Sequence, residues 1–292
     1  MCSIFSISRG RGWALVCLAL CFAMGGKVFS QSSPLFPEGA YWYTPLRLSQ
    51  GERKLAVSGL IDTGCSFCVV DSTFAVDSCR LRGAALTTSY TRAANGDRVK
   101  VHTCVLDRVD FCGMTFLDVK CLVVDLKGKF FAYAPNFIVG ENLLSAQPLC
   151  FDLRNRRLSV GEREGEPAAV LRWQTRESRD GTFTKGIFLK GRIGGKKVRF
   201  FLDSGSRYNR VNAPLLPDAT CEMMDLPQGD ISRRLEVQRV PVCRAVETRV
   251  GDYTTRLNFV LTDRPDAMLN FYFLRNTFFV LDYDRREIRI KQ

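Results

Sequence analysis

The sequence predicts an all-β protein of two similar lobes related by a pseudo-twofold axis, with a cleft between them. The signature that carries this prediction occurs twice, as Leu60-Ile61-Asp62-Thr63-Gly64 and Phe201-Leu202-Asp203-Ser204-Gly205. In each copy an apolar pair precedes Asp, a small hydroxyl residue and Gly, which is typical of a buried strand that ends in a tight turn. Two such turns predict two carboxylates that face each other and share a proton.

The sequence around the signatures repeats as well. An apolar segment ends at Gly140 and is followed by Asp152 twelve residues later, and the corresponding segment ends at Asn270 and is followed by Asp282, also twelve residues later. Apolar residues alternate with polar ones from residue 41 to 57, and Gly51 provides a hairpin turn for the first two strands. These observations predict two copies of one β-rich unit.

The predicted domain order is a signal peptide at 1–30, a first lobe at 41–161, a linker at 162–180 and a second lobe at 181–292. Arg9 and Arg11 precede an apolar core of about a dozen residues, which is shorter than the ~20 of a transmembrane helix. We therefore expect export to a secreted, periplasmic or secretory-pathway location, with an uncleaved N-terminal membrane anchor as the alternative. Charged residues with interspersed Gly and Pro indicate the linker.

The formal net charge of +12 comes from basic residues that are scattered along the chain. Nucleic-acid binding would need a basic stripe or a stacking platform, and the sequence contains neither, so we expect no nucleic-acid partner. The charge instead favours an anionic surface or polymer, or acidic substrate segments.

Nine cysteines lie beyond the predicted signal peptide. In an exported protein they should mostly form disulfides. Cys221 and Cys243 are the only two in the second half, so we expect them to bridge each other. Seven remain in the first half, and this odd number leaves at least one thiol free or paired between chains.

This layout resembles the pepsin and retropepsin superfamily of aspartic proteases. Two units in one chain resemble the bilobed pepsins, and each unit resembles the compact retroviral-type β-barrel domain. Over residues 41–292 the resemblance implies a monomeric endopeptidase that cleaves peptide or protein substrates without a metal or cofactor. It implies that Asp62 and Asp203 are catalytic. The residues implied to support them are Thr63, Gly64, Cys65, Ser204, Gly205 and Ser206.

The resemblance also implies a flap over the cleft. Asn95-Gly96 between alternating runs predicts a hairpin, and Ala94, Asn95 and Gly96 occupy the place of the flap turn in the family. The second half has no such turn signal, so we expect one flap per molecule.

Three residues depart from the family pattern. Cys65 replaces a hydroxyl residue, Asn270 stands in place of Gly, and Arg207 would hold Asp203 ionised if it pointed inward. The alternative to an active protease is therefore a catalytically inactive peptide- or protein-binding member of the same fold.

Overall fold

Strands make up most of the described residues, as the sequence predicts. The structure is a computed structural model that describes residues 32–93, 97–130, 134–161, 165–175, 186–263 and 267–291. The predicted signal peptide and the predicted flap turn at Ala94, Asn95 and Gly96 lie outside these ranges. No helix within them is long and apolar enough to cross a membrane.

The described residues of the first half form eleven strands and a few short helices. The strands are β1 Ser32–Pro34, β2 Phe36–Glu38, β3 Tyr41–Gln50, β4 Arg53–Ile61, β5 Cys68–Asp71, β6 Thr87–Arg92, β7 Arg98–Phe111, β8 Met114–Val124, β9 Phe137–Val139, β10 Leu149–Asp152 and β11 Arg157–Val160. The helices are α1 Ser72–Asp77, α2 Leu126–Phe130, α3 Glu141–Leu144 and a 3₁₀ turn at Gly83–Ala85. The predicted first hairpin is confirmed, with Gly51 at a φ of +56° in the turn.

The second half repeats this order. Its strands are β12 Ala169–Gln174, β13 Phe188–Ile193, β14 Lys196–Leu202, β15 Arg210–Asn212, β16 Cys221–Asp230, β17 Arg233–Val250, β18 Tyr253–Thr262, β19 Ala267–Leu269, β20 Phe278–Asp282 and β21 Glu287–Lys291. Two 3₁₀ turns lie at Ala213–Leu215 and Phe271–Leu274.

The two halves share one pattern of strand pairing. In the first, β9 lies between β4, to which it is parallel, and β5, to which it is antiparallel, and β5 is parallel to β8. In the second, β19, β14, β15 and β18 are paired in the same way. This correspondence confirms the predicted two-lobed, all-β fold.

The closing hairpins of the two halves join in one sheet. Strand β10 pairs with β20 in antiparallel register, with Leu149 opposite Leu281. Beneath this junction the rings of Phe151 and Phe279 stack with centroids 4.9 Å apart, and Phe271 meets both rings edge-on. The buried aromatic contact fixes the two lobes relative to each other.

The expectation of a single flap is wrong. Strands β16 and β17 form a second hairpin that corresponds to the β6–β7 hairpin of the first lobe. Its turn is organised by Asp230, whose carboxylate accepts hydrogen bonds from the main-chain N–H groups of Ser232 (2.9 Å) and Arg233 (3.2 Å). This turn lacks an Asn-Gly pair, so the sequence did not predict it.

The linker prediction needs a correction within 162–180. Residues 169–174 form β12, which pairs with β21 and continues into the second lobe. Leu171 and Trp173 are buried while Arg172 and Gln174 are exposed, so this segment has the alternation of a strand. Charged residues flank the segment, so this short alternation of apolar and polar residues was not recognised as a strand in the sequence. Residues 162–164 and 176–180 lie outside the described part of the chain.

The cysteines follow the prediction in the second half only. Cys221 and Cys243 form a disulfide between β16 and β17, as expected. The expectation of mostly paired cysteines in the first half is wrong, because none of the seven forms a disulfide: Cys65, Cys68, Cys79, Cys104, Cys112, Cys121 and Cys150. All except Cys65 are buried, where a thiol packs as a small apolar group.

The disulfide should contribute measurably to stability. Replacing both Cys221 and Cys243 by Ala should lower the free energy of unfolding by about 3 kcal/mol, since the closed loop constrains the unfolded chain. Urea unfolding with and without reductant tests this. Reductant should lower the midpoint of the native protein and leave that of the double variant unchanged. Equal midpoints for the native protein in both conditions would contradict it.

Candidate active site

The two signature loops leave their strands in the same way. Asp62 follows β4, and its N–H donates to the carbonyl of Val139 on β9 at 3.0 Å. Asp203 follows β14, and its N–H donates to the carbonyl of Leu269 on β19 at 2.8 Å. The short apolar segments that the sequence repeat identified therefore anchor the start of each loop.

Four hydrogen bonds tie the loops to each other. The hydroxyl of Thr63 donates to the carbonyl of Leu202 at 3.0 Å, and the hydroxyl of Ser204 donates to the carbonyl of Ile61 at 2.8 Å. Each hydroxyl also accepts the main-chain N–H of the other residue, at 2.9 and 3.1 Å. Both side chains are at most 1% exposed, so water does not compete for these bonds.

This brace brings the two carboxyl groups into contact. The carboxyl groups of Asp62 and Asp203 lie close enough for a side-chain hydrogen bond to act on the pKa of each, and the N–H of Gly64 donates to Asp62 Oδ1 at 2.8 Å. A Cβ at Gly64 would lie 2.8 Å from Cγ of Asp203, and a Cβ at Gly205 would overlap the Asp62 carboxylate. Each loop therefore needs glycine because the opposite carboxylate occupies the space of a side chain.

The electrostatics of the pair are asymmetric. Burial, together with the negative charge of Asp203, raises the pKa of Asp62 well above its usual value. Burial also raises the pKa of Asp203, but the positive charge of Arg210 opposes that effect. Two carboxyl groups in contact titrate as a unit and hold one proton between them over a range of pH. The nearby cation favours Asp62 as the group that holds this proton.

Arg207 does not point toward Asp203, the orientation in which it would keep that carboxylate ionised. Its guanidinium hydrogen-bonds the hydroxyls of Tyr41 and Tyr208 and lies 5.5 Å from the centre of the Tyr41 ring. Arg210, which the sequence analysis overlooked, is the principal cation acting on Asp203. A signal was present, since Arg210 stands seven positions after Asp203 where the first half has an apolar residue.

Of the two residues that follow the loop glycines, Cys65 departs from the family pattern and Ser206 keeps the expected hydroxyl. The hydroxyl of Ser206 donates to the carbonyl of Tyr208 at 3.0 Å, and it is the main-chain N–H of Ser206 that bonds Asp203. Burial and the charge of Asp62 raise the pKa of the free Cys65 thiol well above its usual value, so it stays protonated. The carboxyl group of Asp203 is thus bonded by the main chain of Ser206 and not by its hydroxyl.

Asn270 fits the place where the first half has Gly140. Its side chain accepts the N–H of Tyr272 at 3.0 Å and donates to the carbonyls of Ser206 and Arg207, both at 3.1 Å. At Gly140 a Cβ would meet the main chain of Phe67. The loop after Asp203 leaves room for a longer side chain, which then binds that loop.

The second hairpin reaches the first lobe beside the site. Ile231 at its turn packs against a buried apolar cluster, and the hydroxyl of Ser232 lies 3.4 Å from Oδ2 of Asp97, the residue just before β7 at the turn end of the first hairpin. The cluster consists of Leu60, Val69, Val101, Val124, Leu126 and Ile138. The turn of the second hairpin therefore packs on the first lobe, beside the strand that leads to Asp62. In the described ranges, no three His, Cys, Asp or Glu side chains are arranged to hold a metal ion.

A two-lobed β fold with two braced Asp loops defines the aspartic protease class. Comparison with protein families supports this class, because residues 45–142 match the model described as aspartyl protease. The predicted recognition as an aspartic protease-like, retropepsin-like protein is thus confirmed, and the match points to a hydrolase that acts on peptide bonds. It spans the first Asp loop and the β6–β7 hairpin. Comparison with curated proteins finds no significant match.

Removing the charge of Arg210 should shift the pH dependence of activity. In Arg210→Met, the carboxyl pair should first lose a proton at higher pH, because the cation that stabilises ionised Asp203 is absent. The acidic limb of the pH–rate profile for an uncharged peptide should therefore move upward. Arg210→Lys retains the charge and should stay close to the native profile. Identical profiles for all three proteins would contradict this assignment.

Proposed function

We propose that this protein is an exported aspartic endopeptidase that cleaves an extended peptide held between its two lobes. The observation that carries the proposal is the reciprocal brace between Thr63 and Ser204, which holds the carboxyl groups of Asp62 and Asp203 in contact. Such contact is what shared-proton chemistry requires.

The reaction needs one water molecule between the carboxyl groups. Asp203, kept ionised by Arg210, accepts a proton from this water as its oxygen attacks the peptide carbonyl carbon. Protonated Asp62 donates a hydrogen bond to the carbonyl oxygen and stabilises the negative charge that develops there. The proton taken by Asp203 then passes to the leaving nitrogen as the C–N bond breaks. No covalent intermediate forms.

Other features support the location and partners that we propose. The sequence pattern at 1–30 favours export, and the Cys221–Cys243 disulfide is typical of oxidising compartments. Two lobes in one chain supply both carboxylates, so a monomer suffices. The positive net charge would favour retention at an anionic surface or polymer.

The proposal can be tested by incubating the purified protein with a peptide library and identifying products by mass spectrometry. We expect cleavage at acidic pH that a statine-type inhibitor blocks and a metal chelator does not. Cleavage that resists the statine-type compound would contradict the proposal. Peptide binding without any cleavage would favour the inactive, binding member of this fold instead.

A further inference from the structure

The two halves also differ at the position seven residues after each signature Asp. Val69 stands seven positions after Asp62, and Arg210 stands seven positions after Asp203. Strand register confirms the correspondence, because Val69 lies opposite Ile138 on β9 and Arg210 lies opposite Met268 on β19. A small apolar side chain in one lobe is thus replaced by a long cation in the other.

Both side chains point away from the main core. The next residues, Val70 and Val211, are fully buried in that core, and successive side chains of a strand point to opposite faces. Val69 therefore belongs to the apolar cluster beside the Asp62 loop. Arg210 occupies the matching place beside the Asp203 loop, and its charge acts on Asp203.

A second polar side chain reaches Arg210 from the hairpin above. Nη2 of Arg210 donates to Oε1 of Gln228 on β16 at 3.2 Å. Nε2 of Gln228 is buried and has no hydrogen-bond partner among the described residues. A guanidinium carries five N–H donors in a planar fork, so one guanidinium can serve several acceptors. Together the two side chains present donors of the kind that bind a carboxylate.

We propose that Arg210 and Gln228 form a subsite that binds the carboxylate of an Asp or Glu side chain of the substrate, close to the scissile bond on the second-lobe side. The subsite rests on the proposed function, since it defines the substrate class of the same cleft. A peptide lying over the two Asp loops would pass this position, because Arg210 begins β15, the strand that follows the Asp203 loop and pairs with β19.

Binding of uncleavable ligands tests the subsite without relying on turnover. The ligands are statine-type peptides that carry Glu, Gln or Leu at each of the positions flanking the statine, in otherwise identical sequences. They are titrated against the purified protein near pH 5.5, where a free Glu side chain is ionised. At one flanking position, the native protein should bind the Glu ligand at least tenfold more tightly than the Gln ligand, as expected for a charge-assisted hydrogen bond.

Variants then assign the preference to Arg210. In Arg210→Met the ratio of Gln to Glu dissociation constants should fall to about one, and Arg210→Lys should retain part of it. Because this ratio compares ligands at one pH, any effect of the variant on the dyad cancels. Arg199→Met is the matched control, since Arg199 is an exposed second-lobe arginine over the Phe188 ring, and it should keep the native ratio.

The outcomes separate the subsite from the proposed function. Tight binding of all ligands with equal affinities for Glu and Gln would overturn the subsite and leave the protease proposal standing. A preference for Glu that persists in Arg210→Met would overturn the assignment to Arg210. Failure of every statine-type ligand to bind would overturn the proposed function and the subsite with it.

Discussion

Asp62→Asn and Asp203→Asn should each reduce kcat by about 10³-fold or more. In the proposed mechanism the two carboxyl groups act as one acid–base unit, so an amide at either position removes the shared proton on which both steps depend. Neither variant should unfold, because burial raises the pKa of both groups and a neutral side chain therefore costs little there. Peptide-cleavage assays combined with thermal unfolding measure both expectations.

An Asp→Asn replacement at an exposed position away from the two loops is the control for these variants. Asp118 is exposed and has a φ of +51°, a conformation that Asn also tolerates, so Asp118→Asn should keep native activity. Near-native activity in either dyad variant would place the chemistry at other residues.

Thr63→Val should cause the largest loss of stability among conservative replacements at the site. The change keeps the shape of the side chain but leaves the carbonyl of Leu202 and the N–H of Ser204 buried without partners. At roughly 1–3 kcal/mol for each unsatisfied group, we expect a loss of roughly 3 kcal/mol, or a Tm lower by about 6–12 °C. Activity should fall as well, because the brace sets the distance between the carboxyl groups.

Thr63→Ser is the control for this prediction, since it retains the hydroxyl. Its Tm should return most of the way to the native value, and its activity should exceed that of Thr63→Val. If the Val variant had the native Tm and activity, the brace would have no role in positioning the dyad. Thermal unfolding and initial rates on one peptide suffice for the comparison.

The repeated parts of the structure could be predicted because local sequence determines them. A strand that ends in Asp, hydroxyl and Gly needs few long-range contacts to be recognised, and two copies imply a symmetric pairing. The same holds for the closing hairpins, whose first strands end at Asp152 and Asp282. Even so, sequence could not show that Thr63 and Ser204 exchange bonds across the lobes, because that depends on how the two units dock.

Features that depend on tertiary context were missed. The second hairpin turns at Asp230 through side-chain hydrogen bonds, and its sequence lacks the Asn-Gly pair that marks the first hairpin. Arg207 and Arg210 are both near Asp203 in sequence, and which of the two charges acts on Asp203 depends on the path of the chain between Asp203 and β15. The free thiols were misjudged because composition indicates the redox compartment but not whether buried cysteines can meet.

The proposed mechanism requires that Asp62 and Asp203 act together on one oxygen atom. A crystal structure of the protein with a statine-type inhibitor tests this claim most directly, because the statine hydroxyl takes the place of the attacking water. We predict that this hydroxyl lies within about 3 Å of a carboxylate oxygen of both Asp62 and Asp203. A hydroxyl that contacts one carboxylate alone, or an inhibitor bound outside the cleft, would contradict the account.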